Sequence, residues 1–445
     1  MKQILLFGAG KSATVLIEYL LDNAQKENWK LTLADANLQL ALDKINNSSS
    51  GTAVSFNIMD DDKRGEYISK ADIVISMLPA ALHSKVAKDC LYFSKHLLIA
   101  SYVDDEIRRL QADIKNKNLL FLCEMGVDPG IDHMSAMKLI DEIHAHGGKI
   151  ISFKSHCGGL IAPESDDNPW HYKISWNPRN IVLAGKAGAV YKKNNKIFNV
   201  PYESLFENNE TVSIPGLDDL AFYPNRDSLS YIPVYGLEET STFIRTTLRH
   251  PSFCKAWNCI VKAFLTDEDK SAAAVAVKHI TYREWVDKSI SIHTTAKNFE
   301  EFLDQYMEGA DKKLINDLFK YAGLLANDGI PITADCSADV MQFILEKKLS
   351  LSPYDRDMIV MLHEIEYEAG RKKSGIRSSL IVKGENSLQT AMAKTVGLPL
   401  GIAAKLILNG TITTRGLHIP IEREIYEPVL KELEQYDVKF NEESI

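Results

Sequence analysis

Cysteine is scarce in this sequence, and its placement excludes several classes of protein. The chain has six cysteines among 445 residues, and none of them belongs to a C-x-x-C pair. Scattered thiols of this kind are typical of reduced cytosolic proteins, so a disulfide framework and a zinc site are not expected. The apolar start, residues 1–7, is too short for a secretory leader. We expect a cytoplasmic location.

Positive charge and long apolar runs are also lacking. The chain has 51 Lys and Arg residues against 60 Asp and Glu residues, a net charge of -9. This balance argues against nucleic acid and against an anionic membrane surface as partners. Lys405 interrupts the longest late apolar run, so we expect no membrane-spanning segment. No spacing of His, Cys, Asp and Glu predicts a metal site, and no internal repeat is present.

The first 35 residues carry the strongest functional pattern. They contain an apolar strand, a glycine turn, an apolar helix and a second strand that ends on Asp35. Gly8 allows the tight turn, Gly10 lets the backbone approach a pyrophosphate, and Ala13 lets the helix pack closely on the sheet. The helix N-terminus would bind the phosphates, and Asp35 would accept hydrogen bonds from a ribose diol. The pattern predicts a dinucleotide site.

The same stretch has two other interpretations. The first is an ordinary strand-turn-helix unit whose glycines serve only close packing. The second is a nucleoside triphosphate loop, which Gly10-Lys11-Ser12 suggests, but Leu5 stands where that loop needs a glycine. Asp35 also bears on the cofactor, because no arginine follows it closely. A carboxylate at this position favours NAD over NADP.

The first 130 residues alternate strands and helices, which indicates a parallel sheet covered on both faces. In such sheets ligands bind outside the carboxyl ends of the strands. Three strand ends therefore become candidates: residues 77–79 (with Leu78 and Pro79), 100–102 and 124–130. Later segments differ in type. Residues 149–250 alternate short strands with loops, residues 251–350 are mostly helical, residues 358–367 and 376–382 form an antiparallel pair, and residues 388–408 form a helix rich in small residues.

A series of motifs along the chain resembles the L-glutamate-forming saccharopine dehydrogenase (saccharopine reductase) family. The motifs are Gly8-Ala9-Gly10, Val74-Ile75-Ser76-Met77-Leu78-Pro79, Ala100-Ser101-Tyr102, Gly126-Val127-Asp128-Pro129-Gly130-Ile131-Asp132-His133, Cys157-Gly158-Gly159-Leu160, Ser175-Trp176, Tyr223-Pro224-Asn225-Arg226-Asp227, and Ile244-Arg245 with Thr247-Leu248-Arg249. They span essentially the whole chain, and the stretches around Asp128 and Arg226 are the most specific.

The resemblance implies an α/β fold with three parts. The first is an N-terminal Rossmann-like doubly wound sheet, residues 1–130, joined by helices near residues 388–408. The second is an α/β substrate domain with a mixed sheet, formed by residues 131–250, 351–387 and 409–445. The third is an inserted all-α domain, residues 251–350.

The resemblance also implies an activity and its residues. The reaction joins 2-aminoadipate 6-semialdehyde to L-glutamate by NAD(P)H-dependent reductive condensation, giving saccharopine, or runs in reverse. The nucleotide would be held by Gly10, Lys11, Ser12, Ala13, Val127, Asp128, Pro129 and Trp176. Saccharopine would be held by Ser101, Tyr102, Asp128, Arg226, Thr247, Leu248 and Arg249. Fungal members prefer NADP and place an arginine after the second strand, where this chain has Asp35, so NADP is the family alternative.

Arginines suit a substrate that carries three carboxylates, because the guanidinium binds a carboxylate through two hydrogen bonds. Arg226 lies in a predicted turn, where function concentrates. Its alternative role is a surface arginine paired with Asp227. Arg249 could instead be a strand residue that faces solvent, and Thr247 could be an ordinary β-branched strand residue.

Asp128 lies at a strand end beside a Pro-Gly turn. A carboxylate there could stabilise an iminium or relay protons, or it could simply form the turn. Tyr102 and Cys157 are weaker candidates for proton relay, and a buried structural cysteine is the simpler interpretation of Cys157. His133 is better explained as a helix-start or packing histidine than as a base.

Two alternative functions stay open from the sequence. One is a related C=N dehydrogenase of the carboxynorspermidine type, whose pocket should be more acidic than one that holds Arg226 and Arg249. The other is a non-catalytic sensor that binds the dinucleotide without turnover. The sequence leaves the oligomeric state open, a homodimer included.

Overall fold

The computed structural model describes residues 1–207, 209–270 and 280–445. The strands are β1 Lys2–Phe7, β2 Trp29–Asp35, β3 Gly51–Ser55, β4 Ile73–Ser76, β5 His96–Ile99, β6 Leu120–Leu122, β7 Gly148–Ile161, β8 Ala189–Lys193, β9 Lys196–Val200, β10 Thr211–Val212, β11 Leu220–Pro224, β12 Arg226–Asp227, β13 Thr242–Arg249, β14 Asp357–Ala369, β15 Lys372–Lys383, β16 Gly416–His418 and β17 Asn441–Ser444.

The helices lie between and around these strands. They are α1 Thr14–Asp22, α2 Ala24–Glu27, α3 Leu38–Ile45, α4 Asp61–Lys70, α5 His83–Tyr92, α6 Asp105–Arg109, α7 Gln111–Asn116, α8 Ile131–Ala145, α9 Pro178–Val182, α10 Pro251–Lys262, α11 Tyr282–His293, α12 Phe299–Tyr306, α13 Gly309–Ala322, α14 Ser337–Lys348, α15 Ala391–Leu408 and α16 Arg423–Leu433.

The chain divides into two compact units. The first comprises Met1–Lys149, Tyr367–Ser374 and Leu380–Glu443, and the second comprises Ile150–Glu366, Gly375–Ser379 and Ser444–Ile445. The first unit contains a seven-stranded sheet in the order β16-β6-β5-β4-β1-β2-β3. Its paired strands run parallel. The sheet therefore has one common carboxyl edge, the place where a Rossmann-like sheet binds ligands.

Local sequence signals explain much of the first unit. The central strands β1 and β4 consist largely of buried Ile, Leu, Val and Phe side chains, as expected for a sheet covered on both faces. Helix α3 begins where the Asn37 side chain accepts a hydrogen bond from the Leu40 amide, and Asp60 starts α4 through the Lys63 amide in the same way. These side chains satisfy backbone donors that the first helical turn leaves free.

A ten-stranded mixed sheet, most of whose strands lie in the second unit, has the main order β10-β11-β13-β7-β14-β15-β17. Strands β13 and β7 pair in parallel, whereas β11 and β13 pair antiparallel. Helices α10 to α14 lie in the same unit and surround an apolar core that includes the buried side chains of Trp170, Trp257 and Trp285. The α/β class with a Rossmann-like sheet and a second mixed sheet is confirmed. Whether residues 251–350 fold as a domain of their own stays a prediction.

The bounds of the two compact units differ from those of the expected domains at three places. The first unit extends to Lys149 instead of ending near residue 130, and it includes residues 409–443 instead of leaving them to the substrate domain. It also includes Tyr367–Ser374 and residues 380–387, which lie within the expected substrate segment 351–387. Residues 409–443 belong to the first unit because β16 adds a parallel edge strand beside β6 and α16 lies against α8. The Tyr426 hydroxyl donates a 2.5 Å hydrogen bond to Asp141 Oδ2 between these two helices.

Helix α15 corrects the expectation that no apolar segment reaches membrane length. Among the described residues it is the one helix long and apolar enough to cross a membrane by length and composition, yet 78% of it is buried inside the protein. It packs against α1, with Gly397 facing Leu16. Core helices of globular proteins have the same composition, so the burial accounts for its apolar character.

Candidate functional site

The glycine turn after β1 has the geometry of a phosphate-binding loop. Gly8 has a φ of +98°, and a Cβ atom there would lie 2.9 Å from the Met77 carbonyl oxygen, so only glycine fits. A Cβ atom on Gly10 would meet nothing within 4 Å. Residues Lys11–Ala13 form a single 3-10 turn that leads into α1, with Ala13 buried. The turn thus offers open space at a helix N-terminus, which fits a nucleotide pyrophosphate.

Asp35 at the end of β2 supports this turn directly. Its Oδ2 accepts a 2.7 Å hydrogen bond from the Ala9 amide, and its Oδ1 accepts a 2.8 Å hydrogen bond from the Asn37 amide. Each carboxylate oxygen keeps a further acceptor site, which a ribose hydroxyl can use. Lys44 donates to the Thr14 hydroxyl instead of approaching Asp35, and burial lowers the pKa of Lys44. Within the described chain, no Lys or Arg forms an ion pair with Asp35.

The loops after β5 and β6 bring three predicted residues together. The Tyr102 hydroxyl donates a 3.3 Å hydrogen bond to Asp128 Oδ1. Glu124 fixes the loop that carries Tyr102, since its amide donates to the Ser101 carbonyl at 3.0 Å and its Oε1 accepts from the Val103 amide at 3.2 Å. The structure therefore gathers Ser101, Tyr102 and Asp128 at the carboxyl edge of the first sheet.

His133 lies beneath this loop and has a structural partner. The imidazole is fully buried, and its Nε2 lies 2.9 Å from Glu124 Oε2. Because Glu124 also holds the Val103 amide, His133 contributes to the rigidity of the loop. This agrees with the interpretation of His133 as a packing histidine.

In the second unit, three strands place candidate residues side by side. Thr247 on β13 is in register with Cys157 on β7 and with Tyr223 on β11. Alternation along β13 puts Thr247 and Arg249 on one face and Leu248 on the other. The Leu248 side chain is fully buried in an apolar cluster. Leu248 was predicted to contact the substrate, and it can do so only through its backbone.

Arg249 is a buried cation in an unusual setting. Only 4% of the residue is exposed. Its Nη1 donates a 2.7 Å hydrogen bond to the Leu248 carbonyl, and its guanidinium lies 5.3 Å from the Tyr172 ring centroid and 5.6 Å from that of Phe253. Its Nε has no hydrogen-bond partner, and no carboxylate of the described residues pairs with it. A buried charge without a counter-ion is costly, so the site is suited to an anion.

Trp176 belongs to the same neighbourhood of the second unit. Its Nε1 donates a 3.4 Å hydrogen bond to the Tyr172 hydroxyl, and Tyr172 in turn lies against Arg249. Tyr172 thus links the tryptophan predicted to contact the nucleotide with the arginine predicted to contact the substrate.

Arg226 lies at the surface of the second unit with a φ of +50°. It is exposed and in register with Ala189 of β8. Asp227, its partner in the alternative interpretation, instead accepts hydrogen bonds from the Leu229 amide at 2.8 Å and the Ser230 amide at 3.3 Å. Arg226 therefore lies at the exposed surface of the second unit, in a turn with a left-handed backbone conformation.

Two family models of known proteins match this chain. Residues 4–122 match the family model described as the saccharopine dehydrogenase NADP binding domain, and residues 126–438 match the one described as the saccharopine dehydrogenase C-terminal domain. The chain belongs to the saccharopine dehydrogenase family. The resemblance inferred from the motifs is confirmed.

Full-length relatives give the same result. The Schizosaccharomyces pombe protein named saccharopine dehydrogenase [NADP(+), L-glutamate-forming] is 33% identical over 454 residues, which cover 100% of this chain and 99% of that protein. A solved structure of apo saccharopine dehydrogenase (L-Glu forming) from Saccharomyces cerevisiae superposes with a TM-score of 0.89 at 32% identity, covering 100% of both chains. These matches confirm the fold along the whole chain.

Larger and more distant proteins are also similar. The Arabidopsis thaliana alpha-aminoadipic semialdehyde synthase is 34% identical over 95% of this chain, but the match covers 41% of that protein, so this chain spans less than half of its length. A Legionella pneumophila homospermidine synthase solved with NAD has a TM-score of 0.57 at 10% identity, which shows a shared fold alone.

Two residues of these neighbourhoods were not predicted from the sequence. His83 opens α5 and contacts the Ser101 hydroxyl, and Tyr172 lies against Arg249. Glu124, which braces the Ser101–Val103 loop, lies in the predicted strand end 124–130, but no role was predicted for its side chain. A signal existed for His83, because it follows a strand that ends at the ligand edge of a parallel sheet. Tyr172 had no such signal, because its proximity to Arg249 arises from folding over many intervening residues.

Proposed function

We propose that this chain catalyses the reversible NAD(P)H-dependent condensation of 2-aminoadipate 6-semialdehyde with L-glutamate to saccharopine. The observation that carries the proposal is the buried Arg249, whose charge has no carboxylate partner among the described residues. A substrate with three carboxylates supplies the missing anion, whereas a polyamine substrate would add positive charge. Membership in the saccharopine dehydrogenase family supports the same reaction.

In this proposal, residues of the first unit bind the cofactor and exchange a proton with the substrate nitrogen. The turn from Gly8 to Ala13 binds the phosphates, Asp35 binds the adenosine ribose, and Leu78, Pro79 and Val127–Pro129 line the nicotinamide end. The nicotinamide group supplies or accepts the hydride when it is bound. Asp128 accepts the proton lost by the secondary amine nitrogen on oxidation and returns it on reduction, and Tyr102 orients the Asp128 carboxylate through its hydrogen bond.

The residues of the second unit bind the substrate carboxylates. Arg249 holds one carboxylate in a dry environment, where a charged hydrogen bond is strong. Arg226 and the Thr247 hydroxyl hold the others. Cys157 lies in register with Thr247 in the paired strand and has a structural role in this proposal, while Trp176 contacts the nucleotide.

The cofactor preference follows from Asp35. The fungal relatives carry NADP(+) in their names, yet this chain has a carboxylate where a 2′-phosphate would bring about -1.5 to -2 charges. No cation among the described residues pairs with Asp35 to offset that repulsion. We therefore expect a higher kcat/KM for NADH than for NADPH.

The experiment on cofactor choice compares wild type with one variant. Asp35→Ser with Ala36→Arg should shift the ratio of kcat/KM toward NADPH, because it removes the repulsion and adds a guanidinium. The matched control is Asp43→Ser, an acidic residue of α3 whose Oδ1 bonds Gln39. An NADH to NADPH ratio at or below one in the wild type would refute this role of Asp35.

The test of the reaction uses purified protein with NADH or NADPH, glutamate and the semialdehyde, and follows loss of the reduced cofactor. Consumption that requires both carbon substrates supports the proposal. Activity with carboxynorspermidine precursors alone would favour the related dehydrogenase. Cofactor binding without turnover of any substrate would favour a sensor.

A homodimer and a cytoplasmic location are further parts of the proposal. The six buried free cysteines are consistent with a reducing compartment.

A further inference from the structure

His83 lies buried where two neighbouring strands of the first sheet end. The residue is 2% exposed and opens α5. Its Nδ1 lies 2.9 Å from the hydroxyl of Ser76, the last residue of β4, and its Nε2 lies 3.1 Å from the hydroxyl of Ser101, just after β5. The imidazole therefore connects buried Ser76 to Ser101, the serine that the family resemblance assigns to the substrate.

The charge of His83 limits how this chain of hydrogen bonds can be arranged. Burial lowers the pKa of His83 to about 4, so the ring is neutral near pH 7. A neutral imidazole has one N–H donor and one nitrogen that accepts. One serine must then donate to the ring while the other accepts from it, and only two arrangements exist.

Ser76 decides between these arrangements. It is fully buried, and in the part of the chain that the structure describes its hydroxyl has His83 Nδ1 as its sole hydrogen-bond partner. If Nδ1 carried the proton, the Ser76 O–H would be buried without an acceptor, which is costly. If Ser76 donates to Nδ1, the ring proton lies on Nε2 and is donated to Ser101 Oγ. In this arrangement the Ser76 hydroxyl and the His83 ring N–H both have an acceptor, and the Ser101 hydroxyl is left to donate elsewhere.

We propose that His83 is a positioning residue that, as the Nε2–H tautomer, fixes Ser101 Oγ as an acceptor toward the ring and as a donor toward a substrate carboxylate. Ser101 is half-buried, so its hydroxyl is accessible to a ligand, while His83 is too deeply buried to be. The Ser101 carbonyl is held by the Glu124 amide at 3.0 Å, which fixes the backbone that carries this hydroxyl. The identity of the carboxylate rests on the proposed function, but the direction of the hydrogen bonds does not.

The first test measures the tautomer itself. Protein labelled with ¹⁵N-histidine is studied by long-range ¹⁵N–¹H NMR, and the His83 signals are assigned by their loss in His83→Asn. We expect a neutral Nε2–H ring from about pH 6 to about pH 8. A Nδ1–H ring, or a protonated ring in that range, would overturn the proposal. This result does not depend on turnover of saccharopine, so it stands even if the proposed function fails.

The second test measures whether His83 acts through Ser101. The amide of His83→Asn can replace Nδ1 and keep Ser76 satisfied but does not reach Ser101, whereas the amide of His83→Gln can replace the Nε2–H donor. We expect Ser101→Ala and His83→Asn each to raise the KM for saccharopine about tenfold, with cofactor KM unchanged. His83→Gln should recover most of the affinity.

The double variant Ser101→Ala with His83→Asn separates positioning from a general structural role. If His83 acts through Ser101, the double variant has the same saccharopine KM as Ser101→Ala alone. Effects that multiply would overturn the proposal, as would an unchanged KM in Ser101→Ala. A wild-type protein that does not turn over saccharopine would refute the proposed function, and the NMR measurement would then decide the tautomer alone.

Discussion

At the residue scale, the roles of Asp128 and Arg249 could be predicted from the sequence to different extents. Asp128 was predicted from its place after a strand, and its hydrogen bond from Tyr102 agrees with a role at the carboxyl edge. Arg249 was left open between solvent and substrate, because strand periodicity gives the face of a side chain but not what covers it. Its burial depends on Tyr172 and Phe253, contacts that no local pattern predicts.

For Asp128 we predict that Asp128→Asn lowers kcat by about 10² to 10⁴-fold, because the amide cannot accept a proton. The Tyr102 hydroxyl can still donate to the amide oxygen, so the loop geometry and the dissociation constant for the cofactor should hardly change. Steady-state kinetics with saccharopine and fluorescence titration with NADH measure the two effects. Asp227→Asn, in a surface turn of the second unit, is the control. A kcat close to wild type would leave Asp128 a turn residue only.

For Arg249 we predict opposite effects on binding and stability. Arg249→Met removes the charged hydrogen bond to a carboxylate, so saccharopine affinity should fall by about tenfold or more. The same change removes a buried charge without a counter-ion, so the melting temperature of the free protein should stay equal or rise. Calorimetric titration and thermal unfolding measure both. Arg371→Met, at an exposed position, should change neither. Unchanged saccharopine affinity in Arg249→Met would exclude Arg249 from the site.

At the element scale, the sequence predicted the strands, the glycine turn and the helices of the first sheet up to β6, because each has strong local signals. It also predicted the apolar helix of residues 388–408, seen as α15, and its return to the first unit. It did not predict β16, which is three residues long and defined by its pairing with β6. Without that pairing, residues 409–443 have no signal that assigns them to the first unit.

The contact of α15 with α1 can be tested by adding a single carbon. A Cβ atom on Gly397 would lie 2.9 Å from the Leu16 amide nitrogen and 3.0 Å from Leu16 Cβ. Gly397→Ala should therefore force the helices apart and lower the free energy of unfolding by about 1–3 kcal/mol. It should also weaken NADH binding, because α1 begins at the glycine turn. Gly329→Ala, where a Cβ atom meets nothing within 4 Å, is the control. Equal urea midpoints for both variants would contradict this packing.

At the scale of the whole molecule, buried thiol and phenol groups with raised pKa values determine how the free energy of unfolding depends on pH at alkaline pH. Burial raises the pKa of Cys254 and of Cys259 from 9.0 to about 12, and that of Tyr202 from 10.0 to about 12. Above pH 9 the unfolded chain releases protons that the folded protein retains. Since the folded state then binds more protons, the free energy of unfolding falls as pH rises from 9 toward 12.

Urea unfolding under reducing conditions from about pH 8 to about pH 11 measures this decline. The double variant Cys254→Ala with Cys259→Ala should show a shallower decline than wild type, because two of the buried protons are gone. An identical slope in both proteins would show that these thiols do not contribute.

The central claim is that one chain couples a nicotinamide cofactor to cleavage of saccharopine. The most direct measurement incubates purified protein with saccharopine and NAD⁺ or NADP⁺ and quantifies glutamate, 2-aminoadipate 6-semialdehyde and reduced cofactor by mass spectrometry and absorbance. The account predicts equal amounts of all three, lost in Asp128→Asn and greatly slowed at low saccharopine in Arg249→Met. Binding of the cofactor without saccharopine-dependent formation of glutamate would contradict it.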